Sequence, residues 1–200
     1  MVETLLPVEP DLAPPPVPRV KRAALTFEQV YDENVDFVWR TLARLGASSE
    51  MVEDVTQEVF LVVHRRLSEF EGRSSIKTWL FGIARRVMHD HRRSARRRNP
   101  QSEDPSERTD VSSLRDAQRL PDAAAAAAEA ARLLYALLDE LDDEKREVFI
   151  LAELEQIPAQ EIATALGISV NTVSSRLRLA RAAFNASLAR RRARDEWRLR

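Results

Sequence analysis

The chain has no cysteine and only four glycines among its 200 residues. Without cysteine there is no disulfide scaffold, no thiolate nucleophile and no thiolate zinc site. It also lacks any apolar run of about 18 residues, the length a membrane-spanning helix needs. The first 18 residues are proline-broken and acidic, unlike the basic-then-apolar pattern of a secretion signal. A soluble, intracellular, cytoplasmic protein without membrane insertion is expected. Four glycines (Gly46, Gly72, Gly82, Gly167) are too few for an all-β chain built on tight turns.

Proline is missing where it would do most harm to a helix. Six of the ten prolines lie in residues 1–18, none lies between Arg19 and Asn99, three stand at 100, 105 and 121, and the last is Pro158. With 44% apolar and 32% charged residues the chain can still bury a core. The apolar spacing is mostly helical. These features predict an all-α chain of two small helical domains joined by a flexible linker, the second a helix-turn-helix domain. The expected boundaries are a Pro-rich arm at 1–25, a first block at 26–98, an acidic linker at 99–127, a second block at 128–190 and a basic tail at 191–200.

The net charge of −1 hides strong segregation. Residues 85–98 carry seven arginines against one Asp, residues 139–161 nine acids against two bases, and residues 176–200 nine arginines against two acids. Basic blocks of this kind suit phosphate contact, although any one alone also fits a solvated helix face.

In the first block Phe27, Val30, Tyr31, Val38, Leu42 and Leu45 recur at helical spacing, and Gly46 can end that helix. Ser48 or Ser49 is placed to cap the next, whose core stripe is Val52, Val55, Val59 and Val62. Its opposite side carries Asp54, Gln57, Glu58 and Leu61, an apolar centre rimmed by polar groups, as a protein-docking patch requires. The same residues also fit a solvated face with one exposed leucine.

After a loop at 70–75, with Ser74 or Ser75 as cap, Trp79, Leu80, Ile83, Ala84, Val87 and Met88 form the buried arc of a third helix. Arg85, Arg86, His89, Arg92, Arg93 and Arg96 project together on its other side, with Trp79 and Phe81 at the borders of that arc. Guanidinium groups flanked by aromatic rings are what single-strand binding uses, while Trp79 also fits an ordinary core position. His89 and His91 point about 200° apart on a helix and cannot share one metal ion.

In the second block Leu134, Leu137, Leu138 and Leu141 mark one helix, which the alanine run 123–128 can start, and Val148, Phe149, Ala152 and Leu154 mark the next. The segment from Ile157 to Leu177 is the most specific signal. Pro158 suits a first helical turn, Ala163 permits close crossing, Gly167 permits a tight turn and Ser169 caps the following helix, which together make a helix-turn-helix. Val170, Val173, Leu177, Ala180 and Phe184 face inward. Asn171, Thr172, Ser175 and Arg178 face outward with Arg176 at the edge, a set of groups suited to base edges in the major groove.

Both blocks in this order resemble bacterial sigma factors of the extracytoplasmic-function (ECF) type. Asp54 to Phe60 resembles that family's polymerase-docking motif, Ser75 to Arg85 its promoter-melting segment, and Arg146 to Leu177 its terminal promoter-binding domain. The resemblance implies that Asp54, Gln57, Glu58 and Leu61 dock on core RNA polymerase. It implies that Trp79, Arg85, Arg86, His89, Arg92 and Arg93 hold the non-template strand of the −10 element, and that Asn171, Thr172, Ser175, Arg176 and Arg178 read the −35 element of promoter DNA. It further implies an anti-sigma partner, no cofactor and no catalytic residues. Arg86 stands where the family commonly has Asn. A free-standing helix-turn-helix regulator is the alternative, and it leaves the docking face and the Trp79 helix without purpose. The acidic stretches at 53–58, 101–122 and 139–161 can meet polymerase or keep the free protein off random DNA.

Overall fold

The computed structural model describes residues 25–98 and 121–198. The expected linker up to residue 120, and the proline-rich arm apart from Leu25, lie outside the described residues. Among the described residues every regular element is helical: α1 (Phe27–Arg44), α2 (Val52–Arg66), α3 (Ile76–Arg98), α4 (Pro121–Leu138), α5 (Asp143–Phe149), α6 (Ala159–Leu166) and α7 (Val170–Arg198). The alanine run is helical from Pro121 onward, so α4 reaches into the stretch assigned to the linker. Proline suits that start, because the first helical N–H has no partner to lose.

Helix α1 begins at a capping box. Thr26 Oγ1 accepts from the Gln29 amide, and the Gln29 side chain accepts from the Thr26 amide. It ends at Gly46, whose φ of 92° is one that a side chain disfavours. The start of α2 differs from expectation. Neither Ser48 nor Ser49 caps it; the N-cap is Met51 with no side-chain bond, and the Ser48 carbonyl accepts from the Val52 amide instead.

Val30, Phe37, Val38 and Leu42 of α1 meet Val52, Val55, Val59 and Val63 of α2 and Leu80, Ile83, Ala84 and Val87 of α3, all buried. Each fully buried aliphatic contributes roughly 1.5–3 kcal/mol of hydrophobic free energy. A charge at Val59, which is completely covered, would break this block. Val62 is only half-buried. Phe81, expected at the border of the basic arc, is instead fully buried, so α3 is covered over more of its circumference than its apolar spacing implies.

In the second block Leu138, Ile150, Leu151, Ile162, Val173 and Ala180 are buried, and Phe149 stacks on Phe184 with ring centres 4.7 Å apart. Helix α5 runs on as one π-helical turn over Ile150–Leu154, closed by the Glu155 amide on the Ile150 carbonyl. Gln156 then takes a positive φ of 54°, and its side-chain amide bonds the Glu153 carbonyl at 2.7 Å. Pro158 precedes α6, Gly167 ends it at φ 68°, and Ser169 Oγ accepts from the Thr172 amide at 3.0 Å to start α7. Val170, expected to face inward, is 39% exposed. The buried apolar residues of both blocks form one cluster.

Candidate nucleic-acid and polymerase interfaces

Turning Val52, Val55 and Val59 inward forces the opposite face of α2 outward. Asp54, Gln57, Glu58 and Leu61 are all exposed there, Leu61 by 56%. Such a leucine is unusual among neighbours that are otherwise polar, and it gives this face an apolar contact to offer. Glu58 Oε2 also lies 2.5 Å from His91 Nε2 of α3.

Before α3 the chain turns at Gly72 (φ 69°), and a cavity of about 200 Å³ opens between residues 69–74 and the Trp79 ring. Phe70 and Trp79 lie 5.3 Å apart there, with Trp79 half-buried. Aromatic faces at a solvent-open cavity are able to stack on an unpaired base. Of the two candidate caps, Ser75 is the one used: its Oγ accepts from the Thr78 amide at 3.2 Å.

The basic side of α3 divides into two stripes. Arg86 and Arg93 are exposed. Arg85, His89 and Arg92, at spacings of four and three, turn instead toward the second block. Arg85 Nε lies 2.7 Å and His89 Nε2 2.9 Å from Glu147 Oε1, while Arg92 Nη1 lies 2.6 Å from Asp143 Oδ1. Glu147 is 3% exposed. A carboxylate so covered requires partners; from the other block Arg85 supplies the charge and His89 lies within hydrogen-bond distance. Burial pushes Asp143 up, but the Arg92 guanidinium, with help from Arg146 and His89, outweighs it and holds the carboxyl below its ordinary value.

A third carboxylate lies at the N-terminus of α3. Glu161 Oε1 of α6 accepts from the Ser75 amide at 2.6 Å and from Thr78 Oγ1 at 2.6 Å. The bond from Thr78, with those from Ser75, lowers its pKa. A helix N-terminus attracts anions of any kind, phosphate included.

At the C-terminal end of α1 two arginines converge. Arg92 Nη2 and Arg146 Nη1 both donate to the Leu45 carbonyl, and Arg44 of α1 pairs with Glu155. Gly46 makes this possible, since a Cβ there would lie 2.9 Å from Arg92 and 3.0 Å from Arg146. The basic and acidic stretches were visible in the sequence as counts. Their pairing through Asp143, Glu147, Glu155 and Glu161 was not.

On the recognition helix α7, Asn171, Ser175 and Arg178 are exposed. Thr172 is half-buried with its hydroxyl 2.8 Å from Ser169 Oγ, and Arg176 pairs with Glu144 at 2.6 Å. The first three are therefore open to a groove, and Arg176 is engaged within its own block. His89 and His91 reach different partners, Glu147 and Glu58. None of the helices, among the described residues, is long and apolar enough to cross a membrane.

Residues 30–98 match the family model of Sigma-70 region 2, and residues 131–184 match that of Sigma-70 region 4. The chain is 35% identical over 153 residues to the ECF RNA polymerase sigma factor SigX of Bacillus subtilis (strain 168), covering 75% of this chain and 77% of that protein. It is 36% identical over 168 residues to the ECF RNA polymerase sigma factor SigL of Mycobacterium tuberculosis, covering 82% and 90%. Among solved structures it is similar to CnrH in complex with the cytosolic domain of CnrY, with a TM-score of 0.57 and 26% identity over 82% of this chain and 87% of that one. The fold is also that of the sigma factor RpoE in complex with the anti-sigma factor NepR from Bartonella quintana, with a TM-score of 0.63 and 20% identity over 82% and 96%. Two helical blocks in the order of sigma regions 2 and 4, with relatives of this identity along most of their length, place the chain in the ECF family of RNA polymerase sigma factors.

Proposed function

We propose that the chain acts in the cytoplasm as a dissociable specificity subunit of RNA polymerase, carrying no covalent chemistry of its own. Residues 26–98 bind core polymerase and melt the −10 element, and residues 128–190 read the −35 element. The observation that carries this division is the coexistence of an exposed Asp54, Gln57, Glu58 and Leu61 face with a helix-turn-helix whose Asn171, Ser175 and Arg178 are open. A helix-turn-helix regulator that never touched polymerase would have no use for the first.

Polymerase docking uses Leu61 as the apolar centre and Asp54, Gln57 and Glu58 as the polar rim. Trp79 stacks on an unpaired base at the cavity beside residues 69–74, and Arg86 and Arg93, with Arg85, His89 and Arg92, hold the phosphates of the displaced strand. Asn171, Thr172, Ser175, Arg176 and Arg178 enter the major groove with the N-terminal turns of α7. An anti-sigma partner, which family membership implies, would hold the factor inactive until it is needed.

Run-off transcription with purified core polymerase tests the proposal. The expected result is a defined transcript that requires both the factor and a promoter. A free-standing regulator would yield none on any template.

A further inference from the structure

At the start of α1 four rings come together without being closed over. Phe27 lies 5.0 Å from the His64 ring of α2 and 6.1 Å from Tyr31, and Tyr31 lies 4.7 Å from Phe60. Phe60 is buried and floors the group, whereas Tyr31 is 41% exposed and His64 is exposed. Leu25, the first described residue, adds an exposed apolar side chain where the chain enters the helix. Leu61 stands one turn before His64 on the same side of α2, so the patch runs on into the docking face. Single exposed apolar side chains need no explanation, but a group of them around packed rings marks a contact surface.

We infer that residues 5–18 of the chain's own proline-rich arm dock on this patch and compete there with core polymerase for the Leu61 side of α2. The competition rests on the assignment of Leu61 to polymerase made above; the docking does not. The composition of the arm suits the surface. Leu5, Leu6, Val8 and Leu12 are followed by Pro14, Pro15, Pro16 and Pro18, and proline rings lie well against aromatic faces while giving up little chain freedom on binding. Charge is matched as well. Residues 1–18 carry Glu3, Glu9 and Asp11 and no base, while Arg65, next to His64, is exposed. Arg19, Lys21 and Arg22 follow, opposite in sign to the exposed Glu28 and Asp32 that flank Tyr31.

The point at which the arm joins the fold singles it out as the occupant. Pro18 is seven residues from Leu25, a length of at most roughly 25 Å, and the rings begin at Phe27. A tether this short gives an effective concentration in the millimolar range. An intrinsic affinity of about 1 mM then covers the patch for half of the time, although the same affinity would recruit little of a free partner or of a second copy from dilute solution. Polymerase must displace the arm to reach Leu61, so its apparent affinity is reduced by the fraction of time for which the patch is open.

Because the chain has no cysteine, Ala13→Cys places a single nitroxide spin label on the arm of the full-length protein. The label should broaden the amide resonances of Tyr31 and His64, and Pro14→Ser/Pro15→Ser/Pro16→Ser/Pro18→Ser in the same labelled chain, which leaves every charge in place, should remove most of that broadening. Equal broadening in the two proteins is what a tether alone produces, and it overturns the docking. Spin-labelled chains mixed with isotope-labelled chains that carry no spin label should leave Tyr31 and His64 sharp; broadening there makes the occupant the arm of a second copy and overturns the intramolecular inference. In parallel, the affinity of the full-length protein for purified core polymerase is measured with and without the four proline substitutions. The variant should bind about threefold tighter or more, by releasing the open fraction. Unchanged affinity overturns the competition even where the broadening supports docking. If neither protein binds core polymerase, the assignment of Leu61 fails and the competition with it, while the broadening still decides whether the arm docks.

Discussion

Arg85 of α3 and Glu147 of α5 form an ion pair 2.7 Å long between two blocks that the sequence separates by a proline-bearing linker. The pair makes one residue answer to two demands. Arg85 belongs to the arginine face assigned to the −10 strand, and in the free protein it neutralises a carboxylate that is almost fully covered. Arg85 therefore stands both in the −10 interface proposed above and in the ion pairing that joins the two blocks.

Leu61→Ala separates docking from folding. The side chain is more than half exposed, so its truncation should change stability by no more than about 0.5 kcal/mol, as for most surface substitutions. Affinity for core polymerase should nonetheless fall by about tenfold, and Asp54→Arg/Glu58→Arg should abolish it. Thermal melting and a core pull-down check the two halves, with affinity of the full chain for a −35 duplex unchanged.

Arg178→Ala should cost roughly 1–3 kcal/mol of promoter affinity, concentrated at one base pair, if its guanidinium reads a guanine edge. Competition binding against a set of single-base −35 variants measures this. An equal loss on every duplex would assign Arg178 to phosphate instead.

Gly46→Ala places a Cβ at φ 92° and within 3.0 Å of both the Arg92 and Arg146 guanidinium groups. Strain of this kind costs about 1–3 kcal/mol. The melting temperature should drop. Gly82→Ala, with open space around the new methyl and no positive φ, serves as the comparison and should leave it unchanged or slightly raised.

Acid should loosen the second block through Glu140. Hydrogen bonds from Ser187 and then Arg191, with Arg190 adding to them, bring its pKa from 4.5 to about 2. A carboxyl depressed by folding contributes stability that is present above its unfolded pKa and is lost as pH falls through the folded one. Melting temperature should therefore be insensitive to this group above pH 4.5 and should decline between there and about 2. Glu140→Gln should flatten that part of the profile.

Local chemistry made most of the helical architecture legible. Gly167 has the left-handed backbone that the turn needs, Ser169 caps α7, and Val52, Val55 and Val59 point inward as their spacing requires. The misreadings arose where tertiary packing overrides a local rule. Phe81 is covered although it lies off the apolar stripe of α3, because that helix is packed on more than one side. Ser48 gives its carbonyl rather than its hydroxyl to α2, so the expected side-chain cap is not formed. The π-helical turn at Ile150–Leu154 has no sequence signature of the kind glycine or proline provides. The docking of Asp143, Glu147 and Glu161 on α3 depends on which face each helix presents, and charge counts along the chain carry no such information. The same counts did show that acidic and basic stretches were separated, which is the raw material for the ion pairs between the blocks.

The most direct test of the central claim is to map transcript 5′ ends made by core polymerase on a pool of genomic fragments, with and without the purified full-length factor. A sigma factor predicts a new set of 5′ ends that share two upstream sequence elements, and predicts that Arg178→Ala changes which promoters are used through the farther element. An identical set of 5′ ends with and without the factor would contradict it.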